Sequence, residues 1–486
     1  MKVIKNCIIS CVSLFALLIF SQCQSSSSSG RMEMWLTKGD ESVKLQQVDE
    51  KEIEKMIADM DNTVPVLIQL DDEIRYQQMI GFGGAICDNS AYVFDNYLKE
   101  EDKVPLFNLL FGEEGIRLNY MRMIMGSTDN SFEWYSYDDM PDGKTDEKME
   151  YFTMEKDEWD VIPYYQLARK INPELMILGS PCSPPAWMKN SKHLFNGSVE
   201  PRYYPALAAY FVKYVQMMET KYNLPVEAIT IQNEPLFEQF VPNPHYPNML
   251  MTAEEQGEFI KTALGPAFER EGVDTKIITF DHNWDLYDYA LKLLNDPDVK
   301  KYIAGSGFHC YGGLPSLMEN IWRAHPDREI YHTECSGGGW GASDFPSIME
   351  WLVGHILIGN IENYTSTVLL WYMSTDENAG PITNGCPSCR PFVTVNSQTG
   401  KYTFNPEYYL TGHFSKFVDR GAWRIQSTNV DVSESIRNVA FLNPDGTKVV
   451  VALNNSETDR VLEIQDKDKT IRVVLPARST ATYCWG

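Results

Sequence analysis

The strongest constraint on this chain is an alternation. Between residues 77 and 415, β-like apolar runs occur at Gln78–Ala85, Arg117–Met125, Leu175–Ser180, Ala228–Ile231, Lys276–Phe280, Ile303–His309, Glu329–Thr333 and Thr367–Trp371. The longer stretches between them, such as Tyr203–Tyr222 and Ala253–Glu269, place apolar residues at i, i+3 and i+4, the spacing of a helix face. Eight strand–helix units in a row predict an α/β chain folded as a (β/α)8 barrel with long loops. A doubly wound sheet is the competing arrangement. It would open a helix with a glycine-rich phosphate loop, and neither Gly83-Gly84 nor Gly337-Gly338-Gly339 has the G-x-G-x-x-G spacing.

From residue 416 the pattern changes. Val432–Leu442, Lys448–Leu453, Arg460–Ile464 and Ile471–Ala477 are β-rich, with turn residues such as Asn443-Pro444-Asp445-Gly446 between them. No helical period intervenes, so residues 416–486 predict a small antiparallel β-sandwich. Glu33–Lys38 has the same character. Residues 32–76 are therefore expected to join that sandwich, which both chain ends then build, with the barrel over 77–415.

The first residues are a leader rather than fold. Lys2 and Lys5 precede an apolar run, Ile8–Phe20, that is shorter than the ~20 residues a bilayer span needs. The run ends at Cys23, and Ser25–Ser29 follow. The pattern resembles a bacterial lipoprotein signal over 1–22, with lipidation at Cys23 and a flexible tether over 23–31. An ordinary secretory signal is the alternative. The expected location is the bacterial envelope, on its periplasmic or surface face, with the lipid as the only membrane contact.

Charge and cysteines narrow the partners. Asp plus Glu number 67 against 42 Lys plus Arg, a net charge of −25. Such a surface repels phosphate backbones and anionic membranes, so nucleic acid is excluded as a partner while a neutral ligand meets no penalty. Seven cysteines lie beyond Cys23, too few in so long a chain for a disulfide scaffold. Cys386-Pro-Ser-Cys389 is the only C-x-x-C and has no second pair, so it predicts a local disulfide or two plain thiols rather than a metal site. No thioredoxin-like pattern surrounds it.

Two predicted strands end on glutamates. One runs Ile229-Thr230-Ile231-Gln232-Asn233-Glu234-Pro235 and the other Ile330-Tyr331-His332-Thr333-Glu334-Cys335. The acids are 100 residues apart. One βα unit takes about 31 residues, so they belong to strands 4 and 7, nearly opposite across the barrel mouth where barrel chemistry sits. Pro235 is expected to keep the backbone of Glu234 out of the helical region. Two facing carboxylates are what glycoside cleavage needs: one protonates the leaving oxygen and the other attacks the anomeric carbon or activates water.

At this point the chain resembles glycoside hydrolase family 30, the glucosylceramidase-like retaining β-glycosidases. The likeness rests on ordered motifs: Gly81-Phe82-Gly83-Gly84-Ala85, Tyr120-Met121-Arg122 running to Thr128-Asp129, Ser180-Pro181 with Ser183–Lys189, Gln232–Pro235, His309-Cys310-Tyr311, Thr333-Glu334-Cys335 and Gly412–Phe417. It implies Glu234 as acid/base and Glu334 as nucleophile. It further implies that Arg122, Asp129, Asn233, Tyr311 and Trp371 line the glycone subsite, with His309 and Tyr246 beside them. Cys182 stands where many relatives carry Trp, which leaves the sugar and its linkage open. The expected activity is hydrolysis of β-glucosidic bonds in a carbohydrate substrate, as an endo-β-1,6-glucanase or a glucosylceramidase-like enzyme, with no metal or organic cofactor. A β-glycosidase for another sugar, such as a xylan or a fucoside, is one alternative. The other is a catalytically silent glycan-binding lipoprotein, which would have lost one of the two glutamates.

Overall fold

The computed structural model describes residues 32–241, 246–382, 384–429 and 435–486. The expected signal, Cys23 and the tether lie outside the described residues. Among those residues no helix is long and apolar enough to cross a membrane. Eight parallel strands close into a barrel in sequence order: β1 (Gly81–Ala85), β2 (Tyr120–Ile124), β3 (Met176–Ser180), β4 (Val226–Thr230), β5 (Lys276–Asn283), β6 (Ile303–His309), β7 (Glu329–Glu334) and β8 (Thr365–Tyr372). All eight fall on the apolar runs of the sequence. β1 is glycine-rich because it is pressed against β2: a Cβ on Gly83 would fall 1.8 Å from the Tyr120 carbonyl oxygen.

Strand alternation sorts the barrel into layers. Ile80, Tyr120, Leu178, Ala228, Ile278, Tyr331 and Leu369 fill the interior as one apolar cluster. Two residues further along their strands the same face carries Arg122, Ser180, Thr230, Thr333 and Trp371, all buried. The interior therefore turns from apolar to polar toward the C-terminal ends of the strands. The outward positions pack under the helices in the main core cluster.

β5 breaks the alternation. Phe280 and Asp281 both have left-handed backbones, φ 72° and 80°, and the pairing with β6 shifts register between Phe280 and His282. A bulge re-aims a side chain by one position. Phe280, which should point inward, packs outside against Tyr289 and Phe308. Asp281 takes the inward place.

The second unit is a single nine-stranded order folded into a sandwich. It contains four strands the sequence did not reveal: Gln46–Gln47, Val66–Gln78, Trp423–Asn429 and Ser479–Trp485. Residues 432–434 of the expected first strand lie outside the described residues, and the strand seen there is Ile436–Leu442. Both chain ends contribute, since Glu33–Lys38 pairs along its whole length with Ser479–Trp485. The expected antiparallel pairing needs one correction: Leu462–Asp466 runs parallel to Val66–Leu70. The two segments enter the sheet from opposite ends of the chain, so no hairpin forces them antiparallel. Val449 and Val451 face the barrel core while Val450 and Ala452 face the sandwich core. Burial on both faces explains why this strand is apolar without alternation. The helix Pro406–Ser415 joins the units: the ring nitrogens of His413 bond to Thr482 and Thr37, one from each chain end, at 2.8 Å.

Candidate active site

Asp281 is the centre of the polar layer. Arg122 meets its two oxygens with separate nitrogens at 2.9 and 3.0 Å. Thr333 donates at 2.6 Å and His309 Nε2 lies at 2.9 Å, while the hydroxyls of Ser180 and Thr230 approach at 3.0 and 2.7 Å. Burial alone would raise this carboxyl, but Arg122 and His309 hold it far below the ordinary range. A buried guanidinium with a carboxylate in this two-pronged geometry is a rigid, fully paired unit. Arg122 also donates to Asn233 Oδ1 at 2.6 Å and reaches Glu334 at 3.6 Å.

The two glutamates stand above this unit. Glu334 closes β7, as expected from the sequence. Glu234 does not end a strand: β4 stops at Thr230, and the following segment is pinned to the neighbouring strands. Asn233 donates its N–H to the Pro181 carbonyl at 2.9 Å, and Glu234 donates its own to the Asp281 carbonyl at 3.0 Å. Glu234 is left-handed, φ 46°. The residue before proline is indeed kept out of the right-handed helix, but these two tertiary hydrogen bonds override the extended conformation it would otherwise take.

One oxygen of each glutamate and one nitrogen of His309 lie within 4.8 Å of one another. His309 Nδ1 is 3.1 Å from Glu234, and the Tyr311 hydroxyl donates to Glu334 at 2.8 Å. Burial raises both carboxyls. At Glu234 the His309 hydrogen bond and the His282 and His309 imidazoles outweigh it and bring the group down. At Glu334 burial and the charge of Glu234 prevail over His309 and Arg122, and the group is raised. Burial opposes charge on His309, yet the surrounding carboxylates of Glu334, Asp281 and Glu234 lift it to about 10.

The remaining residues singled out in the sequence surround the same place. The Trp371 ring lies 5.9 Å from the Arg122 guanidinium, and the Trp371 backbone N–H donates to the Cys335 carbonyl at 2.8 Å. Asp129 caps no helix. It accepts from Thr128 and Asn130 at 2.7 and 2.8 Å, and burial together with the charges of Glu334 and Glu234 raises it to about 7. Tyr246 is half-buried against Phe237, and its hydroxyl is pushed up by burial and by Glu234 and Asp129. Cys182 is buried as a free thiol in a small cluster with Trp371, Cys386 and Cys389. Cys386 and Cys389 are joined as a disulfide, and so are Cys310 and Cys335.

Sequence reasoning missed Asp281 and His282, which lies 3.9 Å from Glu234. The signal was present, since a polar Asp-His pair follows the apolar run Ile277–Phe280 at a strand end. Among the described residues two clusters have the spacing of metal ligands: Glu234, His309 and Glu334, and Cys310, His332 and Cys335. In the first, each group already has a partner within the site. In the second, the sulphurs are bonded to each other.

The comparisons with known proteins agree with this fold. The model of the glycosyl hydrolase family 30 TIM-barrel domain matches residues 79–418, and that of the glycosyl hydrolase family 30 beta sandwich domain matches 421–483. The chain is 33% identical over 416 residues to an endo-1,6-beta-D-glucanase of Neurospora crassa, covering 83% of this chain and 82% of that protein. It is 29% identical over 439 residues to the lysosomal acid glucosylceramidase of Mus musculus, covering 86% and 83%. A solved endo-beta1,6-glucanase superposes with a TM-score of 0.84 at 28% identity, covering 94% of this chain and 99% of the other. A chain with this barrel, this sandwich and this pair of glutamates belongs to glycosyl hydrolase family 30 and is a β-glycosidase.

Proposed function

We propose that this chain is a retaining endo-β-1,6-glucanase, with Glu334 as nucleophile and Glu234 as acid/base. The observation that carries the mechanism is the separation of the carboxylates, whose nearest oxygens lie within 4.8 Å. Retaining glycosidases hold their carboxyl groups about 5–5.5 Å apart, whereas inverting ones leave about 6.5–9.5 Å for a water. Of the relatives described above, the one with the highest identity is an endo-1,6-beta-D-glucanase, and so is the solved structure with a TM-score of 0.84, which supports the β-1,6-glucan substrate. So does the net charge of −25, which favours a neutral polymer over a lipid in an anionic membrane.

The partners of the two acids set the roles. Glu334 is held by Tyr311 and Arg122, which donate hydrogen bonds or charge and do not take its proton. Glu234 faces His309, an imidazole that can exchange a proton with it. The surrounding carboxylates favour charge on His309, which holds Glu234 low, and the charge of Glu234 in turn helps to hold Glu334 high. A sugar that excludes water from the site disfavours the charged His309–Glu234 pair and moves the proton across the 3.1 Å bond to Glu234. Glu234 then has a proton to give. The negative charge that held Glu334 up is gone, and Glu334 is ready to attack the anomeric carbon. Departure of the leaving sugar returns Glu234 to the carboxylate, which takes a proton from the water that releases the glycosyl group.

Hydrolysis of β-1,6-glucan followed by proton NMR tests this reading. Release of the β-anomer before mutarotation is expected. The α-anomer as first product, or cleavage of glucosylceramide with no action on β-1,6-glucan, would overturn the mechanism or the substrate respectively. For location, we propose attachment through a lipid on Cys23, supported by the apolar run and serine tether around it. Cys23→Ala should move the protein from the membrane to the soluble fraction, and an unchanged distribution would refute the anchor.

A further inference from the structure

The ends of β6 and β7 carry residues of the site and are joined by a covalent bond. His309 closes β6 and Tyr311 follows two residues on; Cys310 lies between them. Glu334 closes β7 and Cys335 follows at once. The disulfide joins Cys310 to Cys335. The Tyr311–Glu334 hydrogen bond, 2.8 Å long, is thus made by the immediate chain neighbours of the two half-cystines.

On its β6 side the strand ladder does not hold this place, although the Trp371 backbone N–H of β8 reaches the Cys335 carbonyl. The pairing of β7 with β6 shifts register between His332 and Glu334, so regular hydrogen bonding fails just where Glu334 must be set. The disulfide bridges the interruption. The other disulfide, Cys386–Cys389, spans only three residues of one loop and ties no strands together. A third observation concerns His332. It is fully buried, neither ring nitrogen has a hydrogen-bond partner, and one of them lies within 4.8 Å of both sulphurs. Its lone pair is an unused acceptor that a thiol S–H would satisfy, so the reduced pair has a place to put a hydrogen.

We infer that the Cys310–Cys335 disulfide is a positioning element of the site: it holds Tyr311 and Glu334 in register for attack, and reducing it slows turnover. The inference rests on Glu334 being the nucleophile. An error of about 1 Å in placing a reacting group costs up to about 100-fold in rate. Loss of the Tyr311 hydrogen bond also removes a donor that favours the ionised carboxylate, so Glu334 would ionise only at higher pH.

The test uses the full-length enzyme, a dinitrophenyl β-glucoside, and a phosphine as reductant. The phosphine takes the oxygen of one water and becomes the phosphine oxide, while the two sulphurs take two electrons and two protons. Intact mass after alkylation counts the thiols released. Reduction of the wild type, and separately Cys310→Ala with Cys335→Ala, should each lower kcat by about 10- to 100-fold with KM little changed. The acidic limb of kcat/KM should move to higher pH, which loss of stability alone would not do. Tyr311→Phe should reproduce the limb shift in the wild type and add nothing in the double alanine variant. Phosphine should not slow the double variant further, and reoxidation should restore the wild type. Unchanged kcat and unchanged acidic limb in wild type with all four of these cysteines reduced would overturn the inference. Trapping with a 2-fluoro glucoside separates the two failures. A label on Glu334 with unchanged rates overturns only the role of the disulfide, while a label on another residue overturns the nucleophile assignment and this inference with it.

Discussion

Asp281 explains more of the site than either glutamate does. Its carboxylate fixes Arg122, which supports Asn233 and Glu334, and it fixes His309, which faces Glu234. Asp281→Asn should therefore lower kcat by about 100-fold or more, because one partner of a buried ion pair is lost together with the placement of both acids. The pH dependence follows from His309. Its folded value, about 10, exceeds the ordinary 6.5, so the stability it contributes is complete below about pH 6.5 and is lost as pH rises toward 10. Thermal unfolding at pH 7 and pH 10 should show that loss in the wild type and a smaller one in Asp281→Asn, since one of the carboxylates lifting His309 is gone. Equal losses would place the effect elsewhere. Glu334 was legible in the sequence as the end of a barrel strand, where chemistry sits, and Glu234 as a residue just beyond one, although its strand stops at Thr230. Asp281 was not, because only the bulge turns it inward, and a bulge is a tertiary feature.

At the scale of elements, the eight barrel strands were legible because strands buried on both faces form unbroken apolar runs. Val66–Gln78 was hidden by Asp71-Asp72-Glu73, an acidic run that imitates a loop, in a strand with several exposed positions. Trp423–Asn429 and Ser479–Trp485 mix small and polar residues and become strands only through their pairing partners. The loop around the Cys386–Cys389 disulfide shows the same dependence on context. A Cβ on Gly385 would fall 1.6 Å from Asp129 Oδ2, so this loop lies directly against the Asp129 carboxylate. Gly385→Ala should push the two apart. An increase of about 10-fold or more in KM for glucosides is expected with stability changed by less than about 1 kcal/mol, since the loop is peripheral to the core. An unchanged KM would show that the position of Asp129 does not matter for sugar binding.

At the scale of the molecule, the sandwich is part of the barrel's own core. Val439, Phe441, Val449, Val451 and Leu453 belong to the same apolar cluster as the barrel helices, and His413 ties that junction to both chain ends. Units joined this way should unfold together. Calorimetry should show one cooperative transition, and His413→Ala should lower stability by about 1–3 kcal/mol by removing one hydrogen-bond partner from each of two buried threonine hydroxyls and leaving a cavity. Two separated transitions would contradict the shared core. The sequence showed the two units and the use of both chain ends, but their fusion depends on which face of each sandwich strand meets the barrel, and the apolar runs leave that undecided.

The assignment of the two glutamates is tested most directly by azide. Glu234→Ala should still form the glycosyl-enzyme with a dinitrophenyl β-glucoside, whose leaving group needs no proton, and then stall because the base is absent. Azide, which needs no base, should restore turnover and give the β-glycosyl azide. In Glu334→Gly azide should occupy the vacated space and attack once, giving the α-glycosyl azide. The two products are distinguished by their anomeric proton couplings, and the opposite pairing of variant and anomer would contradict the roles proposed for Glu234 and Glu334.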